Sequence, residues 1–329
     1  MRQWARKSKY ALILFKIWQN RALRKKFVSG SIETSHGSSL ARKNLIESLD
    51  YIDGQFNDYR KYGELTDEEL HGKRILEVGY GDNVGVALRL IAAGAAQVVC
   101  VDKFDAKHDL NKEREVYLNL RERLGSKEQL RFDESVDLSR GVMLNEKRIT
   151  CVKGIDLSEK GYDFLKEHGH FDIILSRAMV EEIYEPEQLF ATFDQLLEPN
   201  GLMLHKIDLS DYGIFSEGGM HPLTFLTIPR SVYRLMASDS GIPNRKLTSY
   251  YRQQMAKLNY TVRFLVTSVV GHGFVEPHQA IDDLDNDYRR AGKPVVDAIR
   301  SRLCPEFKNL SDDELMISGL FLVARKSTG

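Results

Sequence analysis

The chain has 329 residues, of which 42% are hydrophobic and 29% charged, enough apolar material for the core of one α/β domain with insertions or of two small domains. Its 47 Lys and Arg balance 47 Asp and Glu, so no overall charge draws it toward nucleic acid or another polyanion. The 3 cysteines are odd in number and far apart, at 100, 151 and 304, with no CxxC or HxxxH spacing for a metal; Cys100 and Cys151 read as reduced core thiols of a cytoplasmic protein.

The balance hides an asymmetry. Arg2, Arg6, Lys7, Lys9, Lys16, Arg21, Arg24, Lys25 and Lys26 all precede the first acid, Glu33. Residues 1–27 read as a basic helix that also carries Trp4, Leu12, Phe15, Trp18 and Leu23. Tryptophans among cations suit the surface of an anionic membrane, here its inner face. The other reading is a helix docked on its own domain with its cations in water. No run is long and apolar enough to span a bilayer, and no secretory signal stands out. Residues 28–72 continue as a helical region with a helix over 45–62, closed by the helix-start signal Thr66 to Glu69. The expected organisation is a basic helix and helical cap over 1–72 and one larger domain over 73–329.

From residue 74 a regular alternation begins. Strands are expected over 74–78, 97–101, 149–152, 171–175 and 201–207, with helices over 86–93, ended by Gly94, and 187–197. Strand–helix–strand alternation argues for a parallel sheet wrapped by helices. Further on, 247–258 reads as a helix, and 261–270 and 315–324 as two long strands that could pair antiparallel at a sheet edge. Residues 103–148, 211–246 and 271–313 fall outside this alternation. Structureless loops of that length are improbable, so they read as inserted helices and lids.

The densest local signal follows the first strand. Gly79-x-Gly81-x-x-x-Gly85 permits a tight turn into a helix whose first N–H groups face a ligand. Asp102 ends the next strand, at the distance expected of an acid that binds ribose hydroxyls. The spacing is not the GxGxxG of dinucleotide sites. Glu77, just before the turn, would repel a pyrophosphate and suits a cationic group such as an α-amine.

This run resembles motif I of the class I S-adenosylmethionine-dependent methyltransferases. Further segments are similar to that family in its own order: Asp102, then Gly154 to Leu157, then Phe171 to Arg177, then Leu196 to Gly201, then the two C-terminal strands. The resemblance covers about residues 73–207 plus those strands. It implies an α/β, Rossmann-like sheet, mostly parallel with an antiparallel C-terminal edge hairpin, and S-adenosyl-L-methionine as cofactor. By resemblance, Glu77, Gly79, Gly81 and Asn83 line the methionine end, Asp102 takes the ribose and Asp156 the adenine. Ser176 and Arg177 then lie near the methyl group. Two departures stand out: Val180-Glu181-Glu182 replaces the Leu-Glu-His run common in relatives, and Asn83 occupies a position often held by glycine, where Asn is tolerable.

Methyl transfer from a sulfonium is an in-line displacement, so the protein must align the acceptor and exclude water. An oxygen acceptor also needs an outlet for its proton. Candidates after the fourth and fifth strands are Arg177, Glu181, His205, Lys206, Asp208, Asp211 and His221, with His272 and His278 more remote. Among them His205, Asp208, Arg177 and His221 are the leading catalytic candidates, and structural pairing is the competing role for each. Residues 218–229 mix hinge glycines with apolar and hydroxyl side chains and suit a lid. Lys246 to Arg252, with Tyr250 and Tyr251, offers sugar or phosphate contacts, or one solvated turn of helix.

The acceptor is expected to be a small molecule or glycan, methylated on oxygen, as in bacterial surface-polysaccharide or secondary-metabolite assembly. The rivals are a nicotinamide-dependent oxidoreductase and a non-catalytic, membrane-tethered scaffold. Nucleic acid is disfavoured: the fourth-strand motif Ser176-Arg177-Ala178-Met179 lacks the Asn/Asp-Pro-Pro-aromatic run of base-amino methyltransferases, and the core has no basic stripe with interleaved aromatics.

Overall fold

Apolar strand runs and capped amphipathic helices alternate along the chain as its patterning dictates. The structure is a computed structural model and describes residues 8–30, 33–34, 40–157 and 161–327; the cations at 2, 6 and 7 and Trp4 lie outside these. In chain order its main elements are α1 (Lys9–Val28), α2 (Leu45–Gly63), β1 (Arg74–Val78), α3 (Gly85–Ala93), β2 (Gln97–Asp102), α4 (Leu110–Glu122), α5 (Ser126–Asp133), β3 (Ile149–Lys153), β4 (Phe171–Arg177), α6 (Glu187–Leu196), β5 (Leu197–Asp208), α7 (Arg230–Ala237), α8 (Thr248–Lys257), β6 (Tyr260–Val269), β7 (Gly273–Ala280), α9 (Asn286–Asp297) and β8 (Ile317–Lys326). The sheet is mostly parallel with an antiparallel edge. Two compact units divide the residues: a first of 32–176, 188–204 and 325–329, and a second of 1–31, 177–187 and 205–324.

In the first unit the strand order is β3-β2-β1-β4-β5. β1 runs parallel to β2, with Glu77 opposite Cys100, and parallel to β4, with Val78 opposite Ser176. Ile75, Leu76, Val98, Val99, Ile174 and Leu175 are fully buried, as near-continuous apolar runs should be in parallel strands covered on both faces. Asn44 and Glu47 cap α2 reciprocally, each backbone N–H meeting the other side chain at 2.9 Å. α2 packs closely on α3: a Cβ on Gly85 would stand 2.4 Å from Ile52 Cδ1. The expected insertion over 103–148 folds mainly as α4 and α5.

In the second unit the end of β5 is followed by β8, β6 and β7. The Leu209 N–H, just past β5, donates to Ser318 O near the start of β8, and the Val270 N–H, just past β6, donates to Met316 O just before β8. β8 therefore runs against both neighbours, and β6 and β7 are also antiparallel. β7 departs from expectation, because Gly273–Ala280 falls within the insertion expected over 271–313. It is the outermost strand and carries Pro277, a residue sheets accept at edges because it donates no ladder hydrogen bond. β8 starts two residues later than the sequence suggests, because Ser311 caps a short helix over Asp312–Met316.

Candidate active site

In the first unit the chemistry gathers at the carboxyl ends of β1 and β2. The Gly79 N–H donates to Val101 O at 2.9 Å, and Gly79 and Gly81 take φ of 77° and 70°, the left-handed region that glycine enters without strain. Asp102 ties this turn to its own strand. Its Oδ2 accepts the Gly81 N–H at 3.2 Å and its Oδ1 the Phe104 N–H at 3.0 Å. Burial pushes the Asp102 pKa up, and those two hydrogen bonds oppose the rise. Asn83 Oδ1 accepts the Gly85 N–H at 3.0 Å, and the Val84 N–H donates to the Tyr117 hydroxyl at 2.9 Å. Asp82 accepts the Leu40 N–H at 3.0 Å and the Asn83 side-chain amide at 3.3 Å.

Glu77 is buried, and burial pushes its pKa up to about 8. The Cys100 thiol lies 3.6 Å from its Oε2. Among the described residues no ion pair involves Glu77. Asp156 pairs with Lys103 Nζ at 2.6 Å. Ser176 is buried near the end of β4.

In the second unit the chain leaves β4 at the half-buried Arg177, turns at Ala178 with φ 49° and enters a single 3-10 turn, Val180–Glu182. Glu181 is 1% exposed. Its Oε1 accepts the Asp208 N–H at 2.9 Å and the Tyr212 O–H at 2.7 Å. Its Oε2 is buried without a hydrogen-bond partner among the described residues. Burial pushes its pKa up to about 8, against those hydrogen bonds. Asn244 clamps the turn: its N–H donates to Glu181 O at 2.7 Å, and its side-chain amide donates to Val180 O and Ile183 O. Burial also raises the pKa of Asp208, whose Oδ1 accepts the Ser210 N–H.

The remaining candidates sit differently. Asp211 accepts three backbone N–H groups, of Gly213, Phe215 and Ser216, and the Ser216 hydroxyl; it holds its loop. His205 is fully buried, and desolvation pushes its pKa down to about 3, which leaves a neutral imidazole with little appetite for a proton. His221 places Nε2 2.9 Å from Val295 O of α9 and accepts the Leu223 N–H at Nδ1, so both ring nitrogens are engaged, one across to α9 and one within its own loop. Lys206 Nζ lies 3.3 Å from His278 Nε2. No local sequence pattern marks Tyr212 or Arg245, a buried cation between Asn244 and Lys246.

A family model described as a methyltransferase domain matches residues 55–263. No curated protein matches the chain. Three solved structures are similar to the chain at low identity. The CurJ carbon methyltransferase is 11% identical over 97% of this chain and 67% of its own, with a TM-score of 0.43. Phosphoethanolamine N-methyltransferase 2 of Haemonchus contortus, solved with S-adenosyl-L-methionine, is 12% identical over 88% of this chain and 59% of its own, with a TM-score of 0.41. A cyclopropane-fatty-acyl-phospholipid synthase-like protein of Lactobacillus casei is 12% identical over 86% and 94%, with a TM-score of 0.43. The family match spans well over half of the chain, which therefore belongs to the methyltransferase-domain family of class I, S-adenosylmethionine-dependent enzymes.

Proposed function

We propose that this methyltransferase acts on a hydroxyl of a small-molecule or glycan acceptor, of the kind assembled in bacterial surface polysaccharides or secondary metabolites, and that Glu181 takes the proton the hydroxyl loses. S-adenosylmethionine supplies an electrophilic methyl group. Glu77 supports its binding most directly: a buried carboxylate without an ion pair among the described residues is the complement of an α-ammonium. Gly79, Gly81 and Asn83 would line the methionine end, Asp102 the ribose and Asp156 the adenine edge, with Ser176 and Arg177 beside the methyl group.

Glu181 carries the acceptor reading. Its buried, partnerless Oε2 and its raised pKa are what a general base working near neutral pH needs. Asp208 orients Glu181 through its backbone N–H, while its own carboxylate accepts the Ser210 N–H. This assignment prefers Glu181 to His205 and His221, whose imidazoles are desolvated or already engaged.

Labelled methyl transfer tests the reading. Label in an O-methyl ether of a hydroxyl acceptor is expected; label found only on nitrogen or carbon would reject it. Cofactor binding is tested apart. Asp102→Ala deletes a ribose ligand and frees the Gly81 and Phe104 N–H groups, so S-adenosylhomocysteine binding should weaken at least about tenfold by calorimetry.

Residues 1–72 are proposed to serve as a cap whose first helix rests on an anionic membrane. α1 exposes Tyr10, Leu14 and Trp18 at 78%, 69% and 65%, spaced by four on one helical face. Its inner face is tied down: Leu12 and Ile13 are buried, Asn20 bonds Ser238 Oγ and the Asp239 N–H, and Lys9 donates to Thr227 Oγ1. Exposed Arg21, Arg24, Lys25 and Lys26 extend the outer face. The protein should co-sediment with vesicles containing phosphatidylglycerol and not with pure phosphatidylcholine. With each cation worth about 1 kcal/mol at such a surface, reversing Arg24, Lys25 and Lys26 to Glu should cost at least about 100-fold in partitioning; equal partitioning of variant and parent would refute the contact.

A further inference from the structure

The second unit holds a cavity of about 390 Å³ lined by Tyr184, Arg230, Asn244, Arg245, Lys246, Glu306 and Phe307. Its central feature is Arg245. The side chain is 5% exposed, and the residue takes φ 64°, a left-handed conformation that costs a non-glycine residue energy. The guanidinium stacks on the Tyr233 ring, 4.0 Å from its centroid, and faces Phe307 at 5.2 Å. Nη1 donates to Ile228 O at 2.6 Å and to Phe225 O at 3.2 Å. Carbonyls hold the cation in place and do not neutralise it. The nearest carboxylate, Glu306, lies 3.9 Å from Nη2, beyond hydrogen-bond length, on a side chain that is 42% exposed.

Two further cations line the same space. Arg230 is the first residue of α7, where the helix dipole is already positive and a cation is disfavoured. Lys246 Nζ pairs with Glu187 at 3.6 Å and stands 4.5 Å from the Tyr250 ring centroid. Arg230, Arg245 and Lys246 thus line one space with Glu306, and the two ion pairs there, Arg245–Glu306 at 3.9 Å and Lys246–Glu187 at 3.6 Å, are long. Arg245 is the buried cation of the three, and a buried guanidinium whose ion pair is long and part-exposed is incompletely compensated; an incoming anion would offset that cost. Asn244 connects the cavity to the turn of Glu181, because its N–H donates to Glu181 O.

We propose that this cavity binds an oxyanion, phosphate or carboxylate, on the methyl acceptor, which makes the acceptor an acidic or phosphorylated molecule. The word acceptor rests on the reading of Glu181 above; anion binding itself does not. Tyr184 and Phe307 add flat apolar walls, of the kind a sugar or aromatic ring covers.

The test uses the whole protein with inorganic phosphate and acetate as probes, each against chloride at equal ionic strength. Thermal shift and, for phosphate, ³¹P line broadening are the readouts. Stabilisation by phosphate, acetate or both is expected, the stronger of the two naming the oxyanion class. An R230Q/K246Q double variant, altered at an exposed and a half-buried position, should bind the favoured anion at least about tenfold more weakly while taking up S-adenosylhomocysteine as the parent does. Responses to both anions that match chloride, or a double variant that responds as the parent does, would overturn the proposal. Titrating S-adenosylhomocysteine into the same samples reports separately on the cofactor, so a failed anion test and a failed methyl-transfer reading are told apart.

Discussion

Glu181→Gln is expected to lower kcat for methyl transfer about 100- to 10,000-fold, the span that a positioned general base contributes. Glutamine keeps the shape of the side chain and still accepts the Asp208 N–H and the Tyr212 O–H, so the turn survives. What it loses is the capacity to take a proton. In the parent, Glu181 titrates near 8 because burial disfavours its ionised form. A base works ionised, so kcat should rise with pH, about tenfold per unit below 8, and level off above it.

The stability of the same variant separates a catalytic role from a structural one. The folded-state pKa of about 8 lies above the roughly 4.3 of an exposed glutamate. The folded protein therefore binds the Glu181 proton more tightly than the unfolded chain does. Stability should fall as pH rises through the window between those two values. Glutamine has no charge to bury, so the variant should be at least as stable as the parent at pH 8 to 9, by thermal unfolding. A large loss of stability with turnover merely tracking the folded fraction would mark Glu181 as a scaffold residue.

The glycine turn and the acid beside it are readable from sequence because their geometry is local. Two glycines at positive φ, an acid ending the next strand and apolar strand runs are fixed within about thirty residues. The acceptor end was readable only as a set of candidates. Glu181 stood among them, but its burial depends on the backbone of Asp208 and the hydroxyl of Tyr212, partners 27 and 31 residues away. His205 looked equally suitable because alternation along β5 says which residues share a face and not how deeply that face is covered; the ring proves fully buried. Arg245 left no trace. A cation flanked by Asn244 and Lys246 reads as solvated loop until Tyr233, Phe307 and the carbonyls of Phe225 and Ile228 close around it. β7 was hidden for a related reason: an edge strand needs neither strict alternation nor freedom from proline.

Glu77→Gln should weaken S-adenosylhomocysteine binding by at least about 100-fold at pH 8 to 9, because it removes the carboxylate proposed to pair with the α-ammonium. The pH dependence is the sharper readout. In the free protein burial holds the Glu77 pKa near 8, so below that pH the side chain is protonated. An α-ammonium arriving beside it favours the ionised form and expels that proton. Between about pH 6 and 7 binding should release close to one proton per ligand, seen as a dependence of the calorimetric heat on the buffer's ionisation enthalpy. Apparent affinity should climb with pH up to about 8. The glutamine variant should release no proton and show a flat profile over the same range. If parent and variant gave the same proton count, Glu77 would stay neutral in the complex, hydrogen-bonded rather than ion-paired. The α-ammonium would then need another carboxylate, and Asp102, whose oxygens already accept the Gly81 and Phe104 N–H groups, would be the next to replace.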